Sequence, residues 1–96
     1  MLEILKPGHR YDIRTEQGIS IHELHFQDGV VPEVGRNGMQ NEEVLEVLID
    51  RMNWLNKQFP CRENSIVITK LDEALLWLNK RTADRVKRGV EGQHKV

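Results

Sequence analysis

One proline, Pro60, stands between two long segments that each repeat apolar residues at helical spacing, and this limits the chain more than any other feature. Upstream, Leu45, Leu48, Ile49, Met52, Leu55 and Phe59 recur every three or four residues, the period of one helix face. Asn41, followed by Glu42 and Glu43, suits an N-cap with acids in the first turn. Pro60 ends this helix, because a proline has no N–H to give and its ring clashes with the preceding turn. A second helix starts near Cys61 or Arg62, carries Val67, Ile68, Leu71, Ala74, Leu75 and Leu78, and runs towards Lys87, with Gly89 as its C-cap. Two helices joined by so few residues fold back as an antiparallel hairpin.

Apolar residues also lie off that seam: Val44, Val47, Trp54, Ile66, Leu76 and Trp77. A chain of 96 residues is near the size, roughly 70–100 residues, at which a single core is marginal and association a common remedy. At least a dimer is expected.

Residues 1–36 read as strand and turn. "HRYDIR" alternates through Tyr11 and Ile13, and "ISIHELHF" alternates from Ile19 to Ile21, then shifts phase to Leu24 and Phe26. A phase slip inside a strand predicts a bulge or bend. Gly18 and Asp28-Gly29 are turn signals on either side. "VVPEV" is expected as a third strand, which Pro32 confines to an edge or bulge. The fold class is therefore α+β: a small N-terminal antiparallel β-meander, then a long antiparallel two-helix hairpin, oligomeric. Residues 1–36 make the β-rich part and 37–96 the hairpin with a basic C-terminal tail, together one structural unit.

The net charge of −1 argues against general binding to nucleic acid or acidic membranes. The charge is uneven. Residues 79–96 hold six basic and two acidic side chains, +4, which leaves −5 for the first 78. One cysteine, Cys61, excludes an internal disulfide and a cysteine-based zinc site. With no signal-peptide pattern and no apolar run near the ~20 residues that cross a bilayer, a soluble intracellular protein is expected. No metal site is expected, because His22 and His25 on one strand point to opposite faces and His9 and His94 have no local partner. "GRNG" lacks the lysine and length of a phosphate-binding loop and reads as a turn. No nucleophile–base pair or identifiable carboxylate pair argues for catalysis.

Three groups of residues admit both a plain and a functional reading. Arg81, Arg85, Lys87 and Arg88 at the end of the second helix complement its dipole. As a phosphate clamp they would use the planar arginine fork, with Asp84 tethering an arginine or accepting from a ligand hydroxyl. In "FPCRENS", Asn64 is a local cap or turn residue or part of an anion site at a helix start. Arg62 is mildly unfavourable for the dipole there, which leans towards a role. Trp54 and Trp77 are core or interface residues, or flat surfaces on which a base stacks.

The strings "NGMQNEEVLEVLIDRMNWLNKQFP", "CRENSIVITKLDEALLWLNKRTADR" and "RGVEGQHK" resemble the helical-hairpin domain of phage proteins that sequester cyclic nucleotide immune signals. The closer match is to the Thoeris anti-defence sponges, which join a short β-rich part to the hairpin. The shorter all-helical sponges against the cyclic-oligonucleotide (CBASS) defence share only the hairpin. The resemblance is specific over residues 37–94 and rests on "LKPGHRYDI" and a strand ending at Phe26 before that.

The resemblance implies a non-enzymatic binder without cofactor, acting in the cytoplasm of an infected bacterial host. It would hold glycocyclic ADP-ribose made by TIR-domain proteins intact and away from the defence effector. Dimers that assemble further, often to hexamers, are implied, some with separate pockets for cyclic di- or trinucleotides. By motif position, Trp54 falls on the ring that stacks on the base and Asn64 on a pocket asparagine. Arg81 and Arg85 fall on the basic pair near the phosphates, with Asp84 beside them. Arg36 falls near an arginine given by the N-terminal part, and Arg62 on the cyclic-oligonucleotide pockets. The chain departs from the family with Trp54 where Phe is frequent, and with "NGMQNE" where "NGTTNE" is frequent. Two competing readings are a sponge mainly for cyclic oligonucleotides and a small nucleic-acid-binding module.

Overall fold

The computed structural model describes residues 1–89; Glu91, His94, Lys95 and the rest of the tail lie outside that range. The chain divides into two compact units, Met1–Gln40 and Asn41–Val96.

The first unit is a three-stranded antiparallel sheet, β1 (Leu2–Lys6), β2 (Arg10–Arg14) and β3 (Ser20–His25), in the order β1-β2-β3. The α+β class and the meander are observed, but the strands are not those expected. "LEILK" is β1. "VVPEV" is the one-turn helix α1 (Val31–Val34), with Pro32 in its first turn. The reason is a missing donor: Pro32 would break a ladder, whereas the first turn of a helix leaves its N–H groups unbonded anyway. Gly35, at φ 75°, closes this turn by donating to Val31 O.

The phase slip in "ISIHELHF" marks a bulge. Ile13 pairs with His22 and Arg14 with Ser20, so Ile21 has no partner on β2. The register sets Leu2, Ile4, Tyr11, Ile13, His22 and Leu24 on one face. There the Tyr11 and Phe26 rings meet edge to face at 5.7 Å. The opposite face is polar. Asp12, only 5% exposed, accepts from Ser20 Oγ at 2.6 Å and Arg14 Nε at 2.7 Å. Glu23 pairs with Arg10 and with His25 Nε2 at 3.1 Å, and Lys6 Nζ meets Asp28 at 2.6 Å.

These bonds hold three carboxyls below their usual range: Asp12 through Ser20 and then Arg14, Glu23 through Arg10, and Asp28 through Lys6. A carboxyl depressed on folding adds stability above its unfolded value, and that stability is lost as pH falls through the folded value. The sheet is therefore expected to loosen on acidification below pH ~4, read as loss of amide dispersion from residues 2–25 in an NMR pH series. Asp12→Asn should flatten that dependence; an identical acid profile for the variant would refute the assignment.

A loop from Gly35 to Gly38 returns the chain to β3. Asn37 bonds across to Asp28 through its Oδ1 at 2.9 Å and its Nδ2 at 2.7 Å. Met39 N then donates to His25 O at 2.7 Å, and Gln27 N to Met39 O at 2.8 Å. Gly38 is required by this approach: a Cβ there would lie 2.5 Å from the Phe26 carbonyl carbon. Gly38→Ala is expected to cost about 2 kcal/mol through forced backbone displacement, visible as a lower urea midpoint. An unchanged midpoint would show that the approach is not tight.

The second unit is the expected hairpin, α2 (Asn41–Gln58) and α3 (Arg62–Lys87). The half-buried or buried residues of α3 are Asn64, Ile68, Leu71, Leu75, Leu78, Thr82 and Arg85. Their alternating spacing of four and three is that of a coiled-coil seam. Leu45, Ile49, Met52 and Asn56 are withdrawn from solvent on α2. Leu48, Phe59, Val67 and Ala74 fit the periodicity but are exposed, Phe59 at 73%, because a two-helix seam is narrower than the apolar stripe. Among the described residues no apolar side chain is fully buried, and Val47 stands 70% exposed.

Candidate functional site

The hairpin tip is built from short-range polar contacts. Cys61 Sγ caps α3 by accepting from Asn64 N at 3.4 Å. Asn56 Oδ1 accepts from Cys61 N at 3.1 Å, and Asn56 Nδ2 donates to Ser65 Oγ at 3.3 Å. Asn64 Nδ2 donates to Phe59 O at 3.4 Å. Asn64 therefore does act as a local turn residue, and its Oδ1 has no bond among the described residues. Trp54, one turn before the tip, is 55% exposed, with the Arg51 guanidinium 6.0 Å from its ring centroid.

Arg62, in the first turn of α3, has no ion pair or hydrogen bond among the described residues. With Ser65, Ile66, Thr69 and Lys70 it lines an open hollow of ≈370 Å³. Arg62 and Lys70, neither with an ion pair among the described residues, suit an anion in that hollow.

The other end of α3 carries a second hollow, of ≈380 Å³, lined by Trp77, Lys80, Arg81, Asp84, Arg85 and Arg88. Four cations face one carboxylate there. Lys80 Nζ bonds Asp84 Oδ2 at 2.9 Å, one turn apart, so Asp84 tethers a lysine rather than an arginine. Arg81 is exposed and has no partner among the described residues. Arg85 differs: it occupies the seam and is only 5% exposed. Beyond it the helix ends at Arg88, and Gly89, at φ 71°, donates to Val86 O.

Within one chain these two ends do not meet. From Asn64 to Arg81 the rise along α3 is about 25 Å, too far for one small ligand to touch Trp54 or Asn64 and also Arg81, Asp84 or Arg85. Arg36 belongs to the first unit, where its guanidinium donates to Gly38 O at 3.1 and 3.2 Å. Lys80 and Trp77 join Arg81 in this hollow; their spacing to Asp84 and Arg81 on one helix is the signal that the sequence offers for it.

His22 and His25 do sit on opposite faces of β3, opposite Ile13 and Arg10. Among the described residues no cluster of histidine, cysteine and carboxylate side chains is placed to hold a metal. No helix there is long and apolar enough to cross a membrane.

The arrangement is that of a helical hairpin with cationic hollows at both ends and a largely uncovered apolar surface. Its family follows from the sequence: residues 10–83 match the model of the Acb2/Tad1 hairpin domain, and the chain belongs to that family. It is similar to a protein named Thoeris anti-defense 1 from Bacillus phage SBSphiJ7, with 54% identity over 72 residues. That match covers 74% of this chain and 51% of the phage protein, so the chain spans about half the length of the relative.

Proposed function

We propose that this protein is a phage anti-defence sponge that binds a cyclic nucleotide immune signal and withholds it without degrading it. The ligand assigned is glycocyclic ADP-ribose of the kind made by Thoeris TIR proteins, met in the cytoplasm of the infected host. The observation that carries this reading is the cationic hollow with the unpaired Arg81, in a chain 54% identical over 72 residues to an anti-defence protein. A pyrophosphate needs cations whose charge is not already answered, and the arginine fork meets two phosphate oxygens at once.

The pocket is shared between chains. Trp54 and Asn64 of one hairpin supply the base end, and Arg81, Asp84 and Arg85 of another supply the phosphate end. The separation of about 25 Å along α3 requires this if the five hairpin residues serve one ligand. The exposed Val47, Leu76 and Val86 support self-association, to a dimer and from there to a hexamer. The hollow at Arg62 and Lys70 supports a second pocket for cyclic di- or trinucleotides. A sponge mainly for those ligands is the alternative that this hollow favours. The nucleic-acid module is the weaker reading, since the first 78 residues carry −5.

The test is recovery. Protein incubated with glycocyclic ADP-ribose, isolated, and heated is expected to release ligand of unchanged mass. A linear or cleaved product would refute sequestration in favour of an enzyme. Prior addition of cyclic trinucleotide should leave the captured amount unchanged; displacement would move the main ligand to the alternative.

A further inference from the structure

We propose that Trp77 and Asp84 form a ribose subsite in the hollow at the end of α3, with the indole packed on the carbon face of the sugar next to the bound pyrophosphate. This rests on the function proposed above; it adds Trp77 to that site and assigns the Asp84 already placed there to the sugar.

Trp77 is 61% exposed and lies outside the hairpin seam, whose nearest members are Leu75 and Leu78. Trp54 already carries a cation on its ring, the Arg51 guanidinium, whereas Trp77 has no ring or cation contact among the described residues. Trp77 and Arg81 are one turn apart, neighbours on one helix face, and line the same hollow. A sugar bonded to a phosphate held by Arg81 is thus within reach of the preceding turn, where the indole stands.

Asp84 completes the subsite. Its Oδ2 accepts from Lys80 Nζ, one turn back, at the rim of the hollow. Its Oδ1 accepts no bond among the described residues and is free for a ribose hydroxyl. A ring has polar edges and an apolar face; a carboxylate for the hydroxyls and an aromatic plane for the carbons meet both requirements. Self-association is the other use of an exposed tryptophan here, and the test separates the two.

Trp77→Leu, Trp77→Phe and wild-type protein are titrated with glycocyclic ADP-ribose, with ADP-ribose and with inorganic pyrophosphate, which has no sugar. The leucine variant is expected to lose about tenfold in affinity for both sugar-bearing ligands and none for pyrophosphate. The phenylalanine variant should stay within about threefold of wild type throughout. In wild-type protein labelled with 5-fluorotryptophan, the Trp77 resonance, assigned by its absence in Trp77→Phe, should move with the sugar ligands and not with pyrophosphate. Parallel loss of all three ligands in the leucine variant, or a Trp77 resonance that sugar ligands leave in place, overturns the subsite. Wild-type protein that binds ADP-ribose but not glycocyclic ADP-ribose overturns the proposed function and leaves the subsite standing; binding of none overturns both.

Discussion

Arg81→Ala is expected to weaken glycocyclic ADP-ribose binding by about 10- to 100-fold, the loss of a hydrogen-bonded cation worth about 1.5–3 kcal/mol, while the unfolding temperature stays near wild type. The exposure of Arg81 and its lack of any partner among the described residues set the second half of that expectation. Nothing in the fold depends on its guanidinium, so its removal leaves no orphaned group. Isothermal titration gives the affinity, and a thermal scan gives the control. Equal affinity for variant and wild type would remove Arg81 from the phosphate end. Arg85→Ala is not an equivalent experiment. Arg85 is 5% exposed and lies on the seam, so truncating it leaves a gap and its partners unanswered, and lost binding would be confounded with lost stability. The pair that looks symmetrical in the sequence is divided by burial into a clean test and a compromised one.

Val47→Glu is expected to abolish self-association and, with it, ligand capture. Val47 is 70% exposed on α2, away from the hairpin seam, so a carboxylate there stays solvated in the single chain. In an assembly the same carboxylate would be stripped of water, at a cost of several kcal/mol. Light scattering on a sizing column should show the wild type as a multimer and the variant at the chain mass of 11.2 kDa. The variant should also lose the concentration dependence of its unfolding temperature. Ligand binding should vanish, because a pocket built from opposite hairpin ends of two chains has no single-chain form. A monomeric variant with wild-type affinity would refute the shared pocket, and a variant still multimeric would move the interface away from Val47.

Much of the fold was legible because its signals are local. The hairpin could be read from the period of Leu45 to Leu55, the stop at Pro60 and the restart through Leu71 to Leu78. The slip between Ile21 and Leu24 announced the bulge that the register confirms. "VVPEV" reads as a strand yet forms α1, because the strand preference of its β-branched residues is a matter of packing context, while Pro32 serves a helix start equally well. "LEILK" is short, and what makes it β1 is the pairing of Leu2 with Ile13 and Ile4 with Tyr11.

Of the candidate site, the residue types and their helix were available from the sequence: an arginine pair one turn apart, an aspartate between them, a tryptophan one turn before. Helical periodicity is a property of neighbours along the chain, and it determined two helices, their reversal and a basic end without reference to anything distant. Which side of a helix meets the other is a property of the fold. Only the tertiary structure decided that Arg85 is buried in the seam and that Arg81 stays exposed. Both outcomes depend on which faces are pressed together, and burial is settled there.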